Sequence, residues 1–217
     1  GDTIRCLSLD DGREIWRYFY PVKIKRNHGI SRTVPVIAGD CVITLGPKCH
    51  VVCLDAVTGA LRWKRDLVRE DGAEVPPWYA GQCPLIDGAR LILGVGGTAT
   101  LLMALDYRTG EVLWRSKEFT DSAHYSSVIP AQIEGVPQYV QLTAESVAGI
   151  SPKDGKLLWR AKRKGQTAVI PDPVPFQNWV YVTSGYGVGC NLFKVTKTAE
   201  AFSAEQMYAN KVMVNHH

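Results

Sequence analysis

The stretch Ala104-Leu105-Asp106-Tyr107-Arg108-Thr109-Gly110-Glu111-Val112-Leu113-Trp114 has three near copies elsewhere in the chain. They read CLSLDDGREIW (6–16), CLDAVTGALRW (53–63) and GISPKDGKLLW (149–159). The four closing tryptophans are 47, 51 and 45 residues apart. A fixed period of this size marks an array of supersecondary units, each able to bury its apolar faces only against neighbours.

One phrase contains a strand, a turn and a second strand. Leu101 to Leu105 is an apolar run suited to a strand covered on both faces. In the turn that follows, an Asp side chain bonds backbone amides two residues on, and Gly accepts a positive φ. Gly12, Gly59, Gly110 and Gly155 all stand four residues before their tryptophan, so one turn geometry is reused. Trp16, Trp63, Trp114 and Trp159 are expected to dock one unit onto the next. An indole supplies large buried area while its N–H reaches a backbone acceptor.

The phrase [AC]-L-D-x-x-T-G-x-x-x-W resembles the repeat of quinoprotein-type propellers, the pyrroloquinoline-quinone-like repeat. The resemblance covers residues 1 to about 195. Two copies match closely; the other two place Ser8 and Ser151 at the Asp position and Asp11 and Asp154 at the Thr position. It implies an all-β fold, a β-propeller of four-stranded antiparallel blades. That superfamily includes quinone-dependent alcohol dehydrogenases and the propeller lipoprotein of the outer-membrane β-barrel assembly machine, and many members bind no quinone. GPKCHVVCLD, PPWYAGQCPLIDG and GISPKDG look like wording of bacterial cell-envelope propellers, which implies a periplasmic or envelope location.

With 217 residues, 46% of them hydrophobic, the chain can bury a good core as one domain. Twenty Gly and twelve Pro suit many short strands and turns. The one segment with a helical look is Ala199 to Ala209. No apolar run nears the roughly 20 residues of a membrane span, and no signal peptide is visible. At about 48 residues per unit the chain holds four to five blades, the last partial to 217, where propellers close with about four to eight. The expectation is an incomplete ring, a single propeller domain or a fragment of one over 1–217, with the rest of a longer polypeptide missing.

The net charge of +4 is too small to argue for nucleic acid. The basic run Arg160-Ala161-Lys162-Arg163-Lys164 is expected to be a solvated loop between blades. Cys6, Cys41, Cys49, Cys53, Cys83 and Cys190 lie mostly in apolar strand contexts, where cysteine behaves as a small hydrophobe. Cys49 and Cys53 flank His50, but residues four apart on an extended strand are about 13 Å apart, so no metal is expected there. The spacing assigns no disulfide. Quinone dehydrogenases commonly set vicinal cysteines against the cofactor ring, and this chain has none.

Loops that lead into the innermost strands of a propeller converge on one mouth of its central channel. Here Val34-Pro35-Val36-Ile37, Cys83-Pro84-Leu85-Ile86, Val128-Ile129-Pro130 and Val169-Ile170-Pro171 are the expected first strands. Just before them stand His28 and Arg32, then Trp78, Tyr79 and Gln82, then His124, Tyr125 and Ser126, then Gln166. His216 and His217 hold the same place before a further blade. These are the candidate ligand-binding residues; Lys48, His50 and Glu145 are secondary. A His can act as acid, base or ligand near neutral pH, and Arg32 can fork onto a carboxylate or phosphate. No Ser-His-Asp order, phosphate loop or H-E-x-x-H helix is present, so no catalytic residue is assigned.

Two functions from different classes follow. The first is a non-catalytic binding or assembly scaffold of the cell envelope, with a protein or envelope component as partner and no cofactor. The second, implied by the resemblance, is a quinone-dependent dehydrogenase holding pyrroloquinoline quinone and calcium at the channel mouth. A hydrolase or lyase built on His28, Arg32 and His124 is a third class.

Overall fold

A computed structural model describes residues 1–25, 32–97, 99–199 and 201–216. Strands β1 (Asp2–Leu7) and β2 (Glu14–Tyr20) form a two-stranded antiparallel sheet. Four four-stranded meanders follow. The second sheet is β3 (Val36–Ala38), β4 (Cys41–Leu45), β5 (His50–Asp55) and β6 (Leu61–Asp66). The third is β7 (Leu85–Asp87), β8 (Arg90–Gly94), β9 (Leu102–Asp106) and β10 (Val112–Arg115). The fourth is β11 (Ile129–Ile133), β12 (Val136–Leu142), β13 (Ser146–Ile150) and β14 (Leu157–Lys162). The fifth is β15 (Val174–Phe176), β16 (Trp179–Ser184), β17 (Gly189–Lys197) and β18 (Phe202–Asn210). The array is an unclosed propeller: among the described residues β1 and β2 pair only with each other, and β18 pairs only with β17.

The middle strands of the second, third and fourth sheets are apolar on both faces because each of these sheets is covered twice. On β5, Val52 and Leu54 join Ile4 and Tyr20 of the first sheet, while Val51 and Cys53 join Leu91 and Leu93 of the third. On β8, Ile92 turns the other way, towards Tyr139 and Ile150 of the fourth sheet. Val140 and Val147 then meet Val180, Val182 and Phe193 of the fifth. A period-two strand buried on both faces reads as a continuous hydrophobic run.

Each repeated phrase is a hairpin across the two strands farthest along its meander. In the second sheet Asp55 Oδ1 accepts from the backbone N–H groups of Val57 (3.0 Å) and Thr58 (2.8 Å), and Gly59 N–H donates to Asp55 O. Asp106 repeats this towards Arg108 and Thr109. Where Ser replaces Asp, its hydroxyl accepts instead, as Ser151 Oγ does from Lys153 N–H. The turn glycine then receives the preceding sheet's tryptophan. Trp16 lies over Gly59, Trp63 over Gly110 and Trp114 over Gly155. Their indole N–H groups donate to Ala56 O (3.0 Å), Tyr107 O (2.9 Å) and Pro152 O (3.1 Å), one residue past the first turn position each time. Trp159 departs from the pattern. The fifth sheet lacks the phrase, so the Trp159 indole donates to Gln138 Oε1 inside its own sheet while its ring still packs in the core shared with Val180 and Phe193.

Three expectations need correction. Residues 202–210 are a strand, because Phe202 and Ala204 are placed at period two against the last core cluster. The fourth lead-in strand starts at Val174, after the second of two prolines, rather than at Val169. The run 160–164 is not uniformly solvated: Arg163 is 4% exposed and donates to Ser184 Oγ, Gly189 O and Asn191 Oδ1. Burial pushes its guanidinium down to about 10. A short helix, α1 (Leu67–Asp71), was not expected; Asp66 caps it by accepting from Val68 and Arg69 N–H, and Glu70 reaches back to Asp66 N–H.

Candidate functional site

The lead-in loops meet at one end of the array. There the backbone forms a relay running from sheet to sheet. Val34 N–H donates to Cys83 Sγ (3.3 Å), Cys83 N–H to Ser127 Oγ (3.2 Å), and Ser127 N–H to Asp172 Oδ1 (2.5 Å). Val34 and Cys83 immediately precede a proline, where the backbone is held extended, and Ser127 stands two residues before β11; each N–H would otherwise lack a partner.

Beside this relay a recess of about 290 Å³ opens, with walls from four successive lead-in loops. Arg32 enters from the second sheet's loop, Trp78 and Gly81 from the third's, Tyr125 from the fourth's, and Ala168 and Ile170 from the fifth's. Tyr186, on the hairpin between β16 and β17, closes it. The Arg32 guanidinium is tied down through Nη1 to the Trp78 carbonyl. Trp78 N–H donates to Tyr125 Oη (3.2 Å), and the two rings lie 6.1 Å apart. Gly81 makes room for that ring, since a Cβ there would sit 3.0 Å from Tyr125 Cδ1. Tyr186 adopts φ +56°, a region costly for a bulky side chain. Its ring meets His216 edge-on at 5.0 Å, so His216 does come to this mouth.

Of the sequence candidates, the recess brings together Arg32, Trp78 and Tyr125. Gln82 and His124 line a separate void of only about 10 Å³ on the far side of Gly81. His124 Nδ1 accepts from Val169 N–H (3.2 Å), which ties the fourth loop to the fifth. Burial lowers its pKa, a shift that the Glu145 charge partly opposes. Tyr79 is a strut, its Oη accepting from Lys25 N–H (2.9 Å). Ser126 is fully buried, its carbonyl held by Gln141 Nε2. Gln166 is exposed and lines no part of the recess. His50 stacks near Tyr20 in a different groove, 3.7 Å from Asp66. His28 and His217 fall outside the described residues.

Sequence reasoning missed a second repeated feature. Asp71 is fully buried between Arg65 (2.6 Å) and Arg115 (2.5 Å). Burial alone would push its carboxyl up, but the two guanidinium groups outweigh this and hold it below its ordinary value. Asp121 likewise takes Arg160 of the following sheet, along with Thr143 and Ser146 hydroxyls. Arg115 and Arg160 each follow a repeat tryptophan, and the acids stand seven or eight residues after the preceding one. Gln166 holds the corresponding place after Trp159. The signal was there in the spacing; only the pairing was hidden.

A family model described as outer membrane protein assembly factor BamB matches residues 1–204. The chain belongs to this family. Among solved structures, BamB from Moraxella catarrhalis superposes with a TM-score of 0.62 at 17% identity, over 96% of this chain and 55% of that one. The quinohemoprotein alcohol dehydrogenase of Comamonas testosteroni gives 0.56 at 14% identity, over 95% of this chain and 40% of that one. A computationally designed protein, Ika4, gives 0.52 at 12% identity, over 76% and 91%. These likenesses concern the fold, and the chain spans about half the length of the BamB structure. No curated protein matches the sequence.

The dehydrogenase likeness raises the question whether the mouth fits a quinone with calcium. Calcium takes about six to eight oxygen ligands, carboxylates prominent among them. The described lining of the recess offers one guanidinium, three rings and aliphatic groups, with no carboxylate or amide side chain. The donor set does not fit calcium.

Proposed function

We propose that this chain is a non-catalytic binding or assembly scaffold of the bacterial cell envelope, serving outer membrane protein assembly from the periplasmic side. The supporting observation is the family match across 1–204 on a molecule whose recess, in its described lining, offers a guanidinium and aromatic rings but no carboxylate or imidazole. A guanidinium beside aromatic rings is suited to recognise a partner's side chain or terminus; it moves no proton near neutral pH. The repeated turns and docked tryptophans supply a rigid frame on which such loops are displayed.

The reading is tested by isolating the intact protein from detergent-solubilised envelopes at native abundance. Co-purification with the outer-membrane β-barrel assembly components is the expected result. In parallel, the protein is mixed with pyrroloquinoline quinone and calcium and assayed with primary alcohols and an electron-accepting dye. Sustained dye reduction that depends on both additions would replace the scaffold reading with a dehydrogenase.

A further inference from the structure

We infer that the recess at the channel mouth captures one carboxylate carried beside an aromatic or bulky apolar group, the chemistry of a polypeptide that ends in such a residue. The inference deepens the scaffold reading and rests on it for the choice of a polypeptide source.

The wall supplies the two halves of that ligand separately. Arg32 is the only charged side chain of the described lining, and its Nη1 donates to the Trp78 carbonyl, not to a carboxylate. Anchoring one nitrogen to that carbonyl fixes the planar head and leaves the remaining N–H groups for an anion. A guanidinium recognises a carboxylate by two parallel hydrogen bonds, stronger than neutral ones. Around it stand Trp78, Tyr125 and Tyr186, with Ala168 and Ile170 closing an apolar side. The Trp78 and Tyr125 rings, 6.1 Å apart and tilted by 53°, both line the recess, where a further ring can pack against them.

Size narrows the class. About 290 Å³ lies at the lower edge of ordinary ligand pockets, roughly 300–1,000 Å³, so one ring-sized side chain and its carboxylate suit the space. One guanidinium matches one negative charge. The mouth is open, so a chain can leave outward from the captured residue.

The test uses the intact protein and four probes carrying an amino-terminal fluorophore or isotope label. These are an acetylated Gly-Ser pentapeptide ending in Phe with a free carboxyl, the same peptide amidated, the same peptide ending in Ser, and N-acetylphenylalanine. Saturable binding of the first is expected, at least tenfold weaker after amidation or replacement of Phe by Ser. Arg32→Ala should lose at least tenfold while its melting temperature stays within a degree of the wild type, and Arg32→Lys should recover part of the affinity. Equal binding of the free and amidated peptides overturns the inference, as does unchanged binding by Arg32→Ala. Binding of N-acetylphenylalanine without the peptide overturns the polypeptide source and makes this a free-acid site. Co-purification with assembly components but no peptide binding rejects the recess alone; peptide binding without co-purification rejects the scaffold reading alone.

Discussion

Gly12 and Gly110 share one backbone state, with φ of +71° and +75°, but differ in what surrounds them. A Cβ on Gly12 would meet nothing within 4 Å, whereas one on Gly110 would press on Trp63 at 2.9 Å. Gly12→Ala should therefore cost only the left-handed conformation, about 1–2 kcal/mol. Gly110→Ala should cost more, because the ring must also leave its seat. Denaturant titration of both variants measures the difference, and equal losses would mean that ring docking contributes nothing. His124 gives a second residue-level test. Its folded pKa lies below the usual 6.5, so folding favours the neutral ring. That stability is complete above about pH 6.5 and falls as the pH drops below it, since the unfolded chain binds the proton first. The melting temperature should decline between pH 6.5 and 5, and His124→Gln should flatten that decline.

At the level of the elements, what could be read in advance was whatever local chemistry determines. The hairpin turns follow from Asp, Thr and Gly within five residues, and the docking tryptophans stand at a constant offset from them. Both were visible without a partner strand. Strand β18 was not, because Ala199 to Ala209 carries no local turn signal and is made a strand by pairing with β17. The recess was half legible: Arg32, Trp78 and Tyr125 sit in lead-in loops, whose convergence follows from topology. Tyr186 comes from a hairpin at the end of a sheet, and only three-dimensional distance puts it there. Gln166 shared the topology but sits at the clamp position, on the outside. The Asp121 clamp is the element-level feature easiest to break. Asp121→Asn leaves Arg160, 37% exposed, with a weaker partner and disturbs Thr143 and Ser146. The expected loss is about 2–3 kcal/mol, below that of a fully buried pair because Arg160 reaches solvent. Asp121→Asn combined with Arg160→Met should lose less than the single change if the charge is the cause.

Among the described residues each core cluster joins two successive sheets, so stability should behave as a sum of units and nearest-neighbour joints. Trp114→Ala opens the joint between the third and fourth sheets. Removing a large buried ring of this kind costs about 3–5 kcal/mol. Amide exchange should accelerate in β7 to β14 and stay near the wild-type rate in β1 and β2. Uniform acceleration along the chain would show one cooperative block in place of jointed units.

The seating of each tryptophan on the following turn gives the array a polarity. Each of the four units that carry the phrase has a plug on one side and a socket on the other, so the joint is head-to-tail and never self-complementary. A joint of that kind fixes the order and facing of the units but not their number, and it closes into a ring whenever the accumulated rotation allows. Whole units can thus be gained or lost by duplication or deletion without redesigning any surviving joint. The junction after Trp159 follows a different rule, because the turn between β17 and β18 has no glycine socket. It is the place along these five sheets where a unit could not simply be exchanged for its neighbour.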